Sequence, residues 1–137
     1  MRLLDASLPS TAGASRLRGF TLVELLIVMA ILALLLSIAA PRYFDSLERA
    51  KEASLRTNLR MLRESIDKYR GDTGRFPESL QQLVDARYLR AIPLDPLTDS
   101  ATTWVLLPHP DGNTPGAFDV RSGAAGASRD GSAFQTW

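Results

Sequence analysis

Cysteine is absent from the 137 residues, which excludes disulfides, thiolate metal sites and a cysteine nucleophile. Histidine occurs once, as His109 in Leu107-Pro108-His109-Pro110-Asp111. That run reads as a solvated loop, and a lone loop histidine with no clustered nucleophile does not make a catalytic site. No glycine-rich phosphate loop follows a strand, and the carboxylates are scattered over a helix face and turns. These absences argue against an enzyme. Charge of one sign is also missing: 16 Lys and Arg against 15 Asp and Glu leave a formal net charge of +1. Nucleic acid is therefore not an expected partner, because phosphate neutralisation needs a concentrated basic surface.

What the chain does have is one long apolar run. Residues 1–19 are mostly polar or small, with Arg2, Arg16 and Arg18 against Asp5, and the following residues, Phe20 to Ala40, carry one charge, Glu24. About 20 apolar residues at a rise of about 1.5 Å each match the hydrocarbon thickness of a bilayer. Arginines before the span and a longer polar portion after it place the N-terminus in the cytoplasm and the remainder outside. Three readings fit this pattern. The span is a plain single-pass anchor, or a secretory signal peptide cut after Ser37-Ile38-Ala39 to release a soluble binding module, or an apolar segment preceded by its own cleavage point at Gly19-Phe20. An acid inside a membrane helix costs about 2.5–3.5 kcal/mol on insertion scales, so Glu24 calls for a partner or a function. The plainer alternative is that it snorkels to the interface.

Helical spacing continues past the apolar run. Pro41 lacks a backbone donor and is expected to bend the helix. Tyr43, Phe44, Leu47, Leu55, Leu59, Leu62, Ile66 and Tyr69 recur at helical spacing, and the last five alternate in steps of four and three as a narrow apolar stripe, flanked by charges that read as a solvated face. Gly71 and Gly74 are the stop signals. A helix from Phe20 to Arg70 would be about 75 Å long. Its stripe needs a small domain to cover it. The tripeptide Arg70-Gly71-Asp72 reads as a helix end rather than an adhesion motif. Ser79 to Val84 predicts a short helix, with Ser79 capping, Gln82 reaching back, and Leu80, Leu83 and Val84 facing inward. The Ile92-Pro93-Leu94-Asp95-Pro96 run demands an extended or turning chain. Thr102 to Leu107 and Ala117 to Arg121 are strand candidates, expected to pair as a hairpin. From Ser122 onward the chain reads as irregular, with Phe134 and Trp137 available to dock back.

Against this background, Arg18-Gly19-Phe20-Thr21-Leu22-Val23-Glu24-Leu25 resembles the class III leader of type IV pilins and of type II secretion pseudopilins. The resemblance implies a prepilin peptidase that cuts between Gly19 and Phe20 and N-methylates Phe20. Glu24 falls at the family's acidic position, and Pro41 where many members carry a helix-bending proline. The new α-amine at Phe20, ordinarily near pKa 8, could then pair with Glu24 of a neighbouring subunit in a weakly screened filament core.

The order of elements and the Pro93-Leu94-Asp95-Pro96 segment resemble the major, G-type, pseudopilins. The implied fold is α+β and pilin-like: a long N-terminal α-helix, its first half transmembrane, packed against a short helix and a small antiparallel β-sheet. The segments are 1–19, a leader that is removed; 20–40, the transmembrane or filament-core helix; 41–70, its amphipathic continuation; and 71–137, a small α+β periplasmic domain with an irregular tail. The resemblance implies a homo-oligomeric periplasmic pseudopilus serving type II secretion. The subunit would be drawn from the inner-membrane bilayer through an assembly platform. A surface type IV pilin is the alternative within the superfamily. No cofactor is expected unless the calcium ion of major pseudopilins is kept, for which Asp119 and Asp130 are the candidates. Calcium takes six to eight oxygens, and Arg121 and Arg129 would oppose it.

Overall fold

A computed structural model describes residues 19–137; residues 1–18, which hold most of the expected leader, lie outside the described residues. The chain divides into two compact units, Met1–Ala40 and Pro41–Trp137. One long helix, α1 (Leu22–Thr73), contributes to both and contains Pro41.

In the first unit the start of α1 is set by Thr21. Its Oγ1 accepts the backbone N–H of Glu24 at 3.1 Å, and its carbonyl accepts from Leu25 at 3.1 Å. Thr21 is therefore the N-cap, and it satisfies one of the donors that every helix start leaves unpaired. The apolar residues that follow are exposed all round the helix, and an 18-residue window has a mean hydropathy of 2.9. The Ser37 hydroxyl donates to the Leu34 carbonyl at 2.7 Å, so it asks for no outside partner in an apolar environment.

In the second unit the stripe of α1 finds its cover. Leu55, Leu59, Leu62, Ile66 and Tyr69 are buried against Phe76, Leu80, Leu83, Leu89, Trp104, Val120, Ala124 and Phe134. Tyr43, Phe44 and Leu47 also recur at helical spacing but stay exposed; the tail reaches that stretch at Asp45, through Arg129, and leaves the three side chains uncovered.

The helix ends three residues later than Arg70. Gly71 and Asp72 lie inside its last turn, and Gly74 is the residue that leaves it, at φ +74 with its N–H on the Arg70 carbonyl at 2.8 Å. A left-handed residue directly after the helix is what glycine tolerates and other residues resist. Thr73 Oγ1 donates to the Tyr69 carbonyl, and Asp72 accepts the Tyr88 hydroxyl at 2.7 Å. These contacts hold the extra turn in place.

The short helix α2 (Leu80–Asp85) begins at Ser79, whose hydroxyl accepts from Gln82 N at 3.2 Å. The Gln82 side chain reaches back one residue further than a capping box requires, to Glu78 N at 2.7 Å. Strands β1 (Trp104–Pro108) and β2 (Ala117–Ser122) form an antiparallel pair with Leu106 opposite Val120. The register slips between Leu107 and Pro108. Thr102 and Thr103 do not join β1, because Ser100 and Thr98 engage them in the preceding turn. The tail ends in a single 3-10 turn, Phe134–Thr136.

Candidate functional site

Gly19 and Phe20 lie just before α1 and are exposed, with Phe20 83% accessible. Glu24 is the third residue of the helix. Its backbone is engaged by Thr21, but its carboxylate has no hydrogen-bond or ion-pair partner among the described residues. Around it Leu22, Val23, Leu25, Leu26, Ile27 and Val28 are all exposed. The arrangement is an unpaired acid at the end of an uncovered apolar helix. Such a helix is made to be buried in lipid or in other helices, and an acid placed there pays for its position unless a cation meets it. The N-cap role of Thr21 was readable in principle, since Thr21 and Glu24 have capping-box spacing.

Pro41 sits inside α1, where the second unit begins. It removes one helical hydrogen bond at that point.

The two calcium candidates are committed elsewhere. Asp119 Oδ1 accepts from Arg63 Nε at 2.7 Å, and the same guanidinium donates to the Val120 carbonyl at 3.0 Å. Asp130 Oδ1 accepts from the backbone and the hydroxyl of Ser132, and its Oδ2 lies 3.7 Å from Arg56. Asp130 is held below the usual carboxylate range, first by the Ser132 hydroxyl and then by the Ser132 N–H. No group of three or more His, Cys, Asp or Glu side chains converges among the described residues. Asp119 and Asp130 thus each face an arginine, Arg63 and Arg56 respectively. Protein groups fasten the tail. Glu52 accepts from the Ser128 hydroxyl at 3.1 Å and from Arg129 N at 3.2 Å. Arg56 lies 4.2 Å over the Trp137 ring, and Phe134 is buried.

Sequence reasoning marked Asp95 only as part of a turn. It is in fact fully buried. Its carboxylate accepts from Leu97 N at 2.9 Å and from the Ser122 hydroxyl, which in turn accepts from Ala124 N at 3.1 Å. Its backbone N–H bonds the Ser100 carbonyl at 2.9 Å. Asp95 thus ties the proline-rich loop to the end of β2. His109 is not simply solvated either. Its ring packs edge-on against Phe118 at 4.8 Å, and Nδ1 lies 3.0 Å from Asp111 Oδ1.

The family described as the prokaryotic N-terminal methylation motif matches residues 15–40. Type II secretion system core protein G of Klebsiella pneumoniae is 33% identical, over 59% of this chain and 69% of its own. The core protein G of Klebsiella michiganensis is 30% identical, over 58% of this chain and 67% of its own. A type IV major pilin protein of Myxococcus xanthus is 34% identical, over 50% of this chain and 31% of its own. No solved structure matches. With the long exposed apolar helix, the small α+β domain, and relatives matched over two thirds of their length, the chain belongs to the type II secretion system core protein G family, the G-type pseudopilins of the type IV pilin-like superfamily.

Proposed function

We propose that this chain is a structural subunit of the periplasmic pseudopilus of type II secretion. It is cut after Gly19 by a prepilin peptidase, N-methylated at Phe20, and held in the inner membrane until an assembly platform draws it into a filament. The soluble domain then faces the periplasm, and the N-terminus begins on the cytoplasmic side. The observation that carries this reading is the unpaired Glu24 at the start of an apolar helix exposed on every side. In the filament the Phe20 amine of one subunit meets Glu24 of the next. The pair removes the cost of an isolated acid and sets the stagger between neighbours. A surface pilus is the second reading. It has less support, because the similarity to the type IV pilin spans under a third of that protein.

The test is Glu24→Ala. The mature N-terminus, read by sequencing and intact mass, should still be N-methylated Phe20, while filament yield should fall at least tenfold. Abundant filaments from the variant would remove Glu24 from assembly. A mature chain beginning elsewhere would remove the whole processing pathway.

A further inference from the structure

Along α1 an arginine recurs every seven residues, at Arg42, Arg49, Arg56, Arg63 and Arg70. Seven residues are close to two helical turns, so the five share one slowly drifting face at steps of about 10.5 Å. The last three are engaged within the domain. Arg56 covers Trp137, Arg63 binds Asp119 and the Val120 carbonyl, and Arg70 lies 4.6 Å over the Phe76 ring. Arg42 and Arg49 are exposed, and their side chains have no hydrogen-bond, ion-pair or aromatic partner among the described residues. Neither is within ion-pair distance of an acid among the described residues. Asp45 lies 3.9 Å from Arg129, and Glu52 holds the Ser128–Arg129 turn. Glu48 is exposed.

Arg42 comes two residues after the apolar run closes at Ala40. Tyr43 and Phe44 follow, 66% and 61% accessible, with their rings edge to face at 5.8 Å. Exposed aromatics at the end of an apolar span are the residues that favour the membrane–water boundary. Helical side chains lean toward the helix N-terminus, the end on which the apolar run lies. An arginine fork fits phosphate oxygens in bidentate fashion.

We propose that Arg42 and Arg49 bind the phosphates of anionic lipids at the periplasmic face of the inner membrane, with Tyr43 and Phe44 seated in the interface. The pair fixes the depth of the waiting subunit, and its lipid contacts are given up on entry into the filament. This inference rests on the membrane-pool reading above.

The mature chain, placed in nanodiscs of equal parts phosphatidylglycerol and phosphatidylcholine, is released into a native mass spectrometer and its retained lipids are counted. Each arginine near an anionic surface should contribute about fivefold in preference for the anionic lipid. Wild type should retain phosphatidylglycerol preferentially. Arg42→Gln/Arg49→Gln should lose that preference, and Arg90→Gln, an exposed arginine of the domain, should keep it. Thermal unfolding of the double variant should match wild type, since neither side chain touches the fold. An undiminished preference in the double variant would overturn the proposal. A wild-type chain that does not stay in the disc would instead overturn the membrane-pool reading itself.

Discussion

Asp95 is the residue on which the domain's irregular half turns. A fully buried carboxylate with no cation beside it is costly unless hydrogen bonds replace its water. The donors are Leu97 N and the Ser122 hydroxyl, 27 positions apart in sequence for the second pair. Ser122→Ala should therefore lower unfolding free energy by about 1–3 kcal/mol, read by thermal melting of the mature chain in micelles. An unchanged melting temperature would show that the contact contributes nothing. The Pro-x-Asp-Pro spacing made a turn legible, but nothing local identifies Ser122 as the partner. Asp111 is a surface case with a sharper local signature. The Thr114 hydroxyl, then the Thr114 and Asn113 N–H groups, hold its carboxyl well below the ordinary range near about 4. Because the folded value is depressed, the loop's stabilisation is present above the unfolded value and is lost as pH falls through the folded one. Thr114→Ala should raise the Asp111 midpoint, followed by its side-chain carboxyl resonance. No upward movement would mean that the hydroxyl is not the main cause.

At the scale of elements, α1 shows how far periodicity carries. The positions Leu55, Leu59, Leu62, Ile66 and Tyr69 are recognisable as a buried stripe from their spacing alone, and the structure buries all five. Tyr43, Phe44 and Leu47 recur at helical spacing on the same helix, outside that narrow stripe, and stay exposed. Periodicity reports that a face is apolar and does not say what covers it. Leu59→Ala and Leu47→Ala separate the two regimes. The first removes a fully packed side chain and should cost about 2–5 kcal/mol; the second should stay within about 0.5 kcal/mol of wild type. Equal losses in denaturant unfolding would mean that Leu47 has cover in the isolated subunit. Of the two stop signals, the helix runs through Gly71 and ends at Gly74, for a related reason. Gly71 is a weaker stop than its neighbourhood, because the Tyr88 hydroxyl on Asp72 and the Thr73 hydroxyl on the Tyr69 carbonyl favour one more turn. The start of β1 moved for the opposite reason, since turn contacts to Ser100 and Thr98 claim two residues rich in β-propensity.

For the whole molecule, the two units divide the work between insertion and folding. Every residue of the buried hydrophobic cluster lies between Leu55 and Phe134, and none comes from the described part of the first unit. The ties that close the domain are likewise internal to the second: Arg63 to Asp119, Glu52 to the Ser128–Arg129 turn, Asp95 to Ser122, and Arg56 over Trp137. A chain of residues 41–137 should therefore fold without the apolar segment. Its 97 residues are enough for a modest single core, and removal of the span takes away its largest run of exposed apolar side chains. The expected product is soluble without detergent, unfolds in one cooperative transition, and melts near the temperature of the mature chain in micelles. It should not assemble into filaments, because Phe20, Glu24 and the apolar helix are gone. Near-ultraviolet circular dichroism of Trp104 and Trp137 would report the native packing, since both rings sit in defined contacts of the second unit. Fixed aromatic signals with cooperative melting would establish that the apolar helix serves the membrane and the filament alone. A broad transition without those signals would mean that the span also supports the fold.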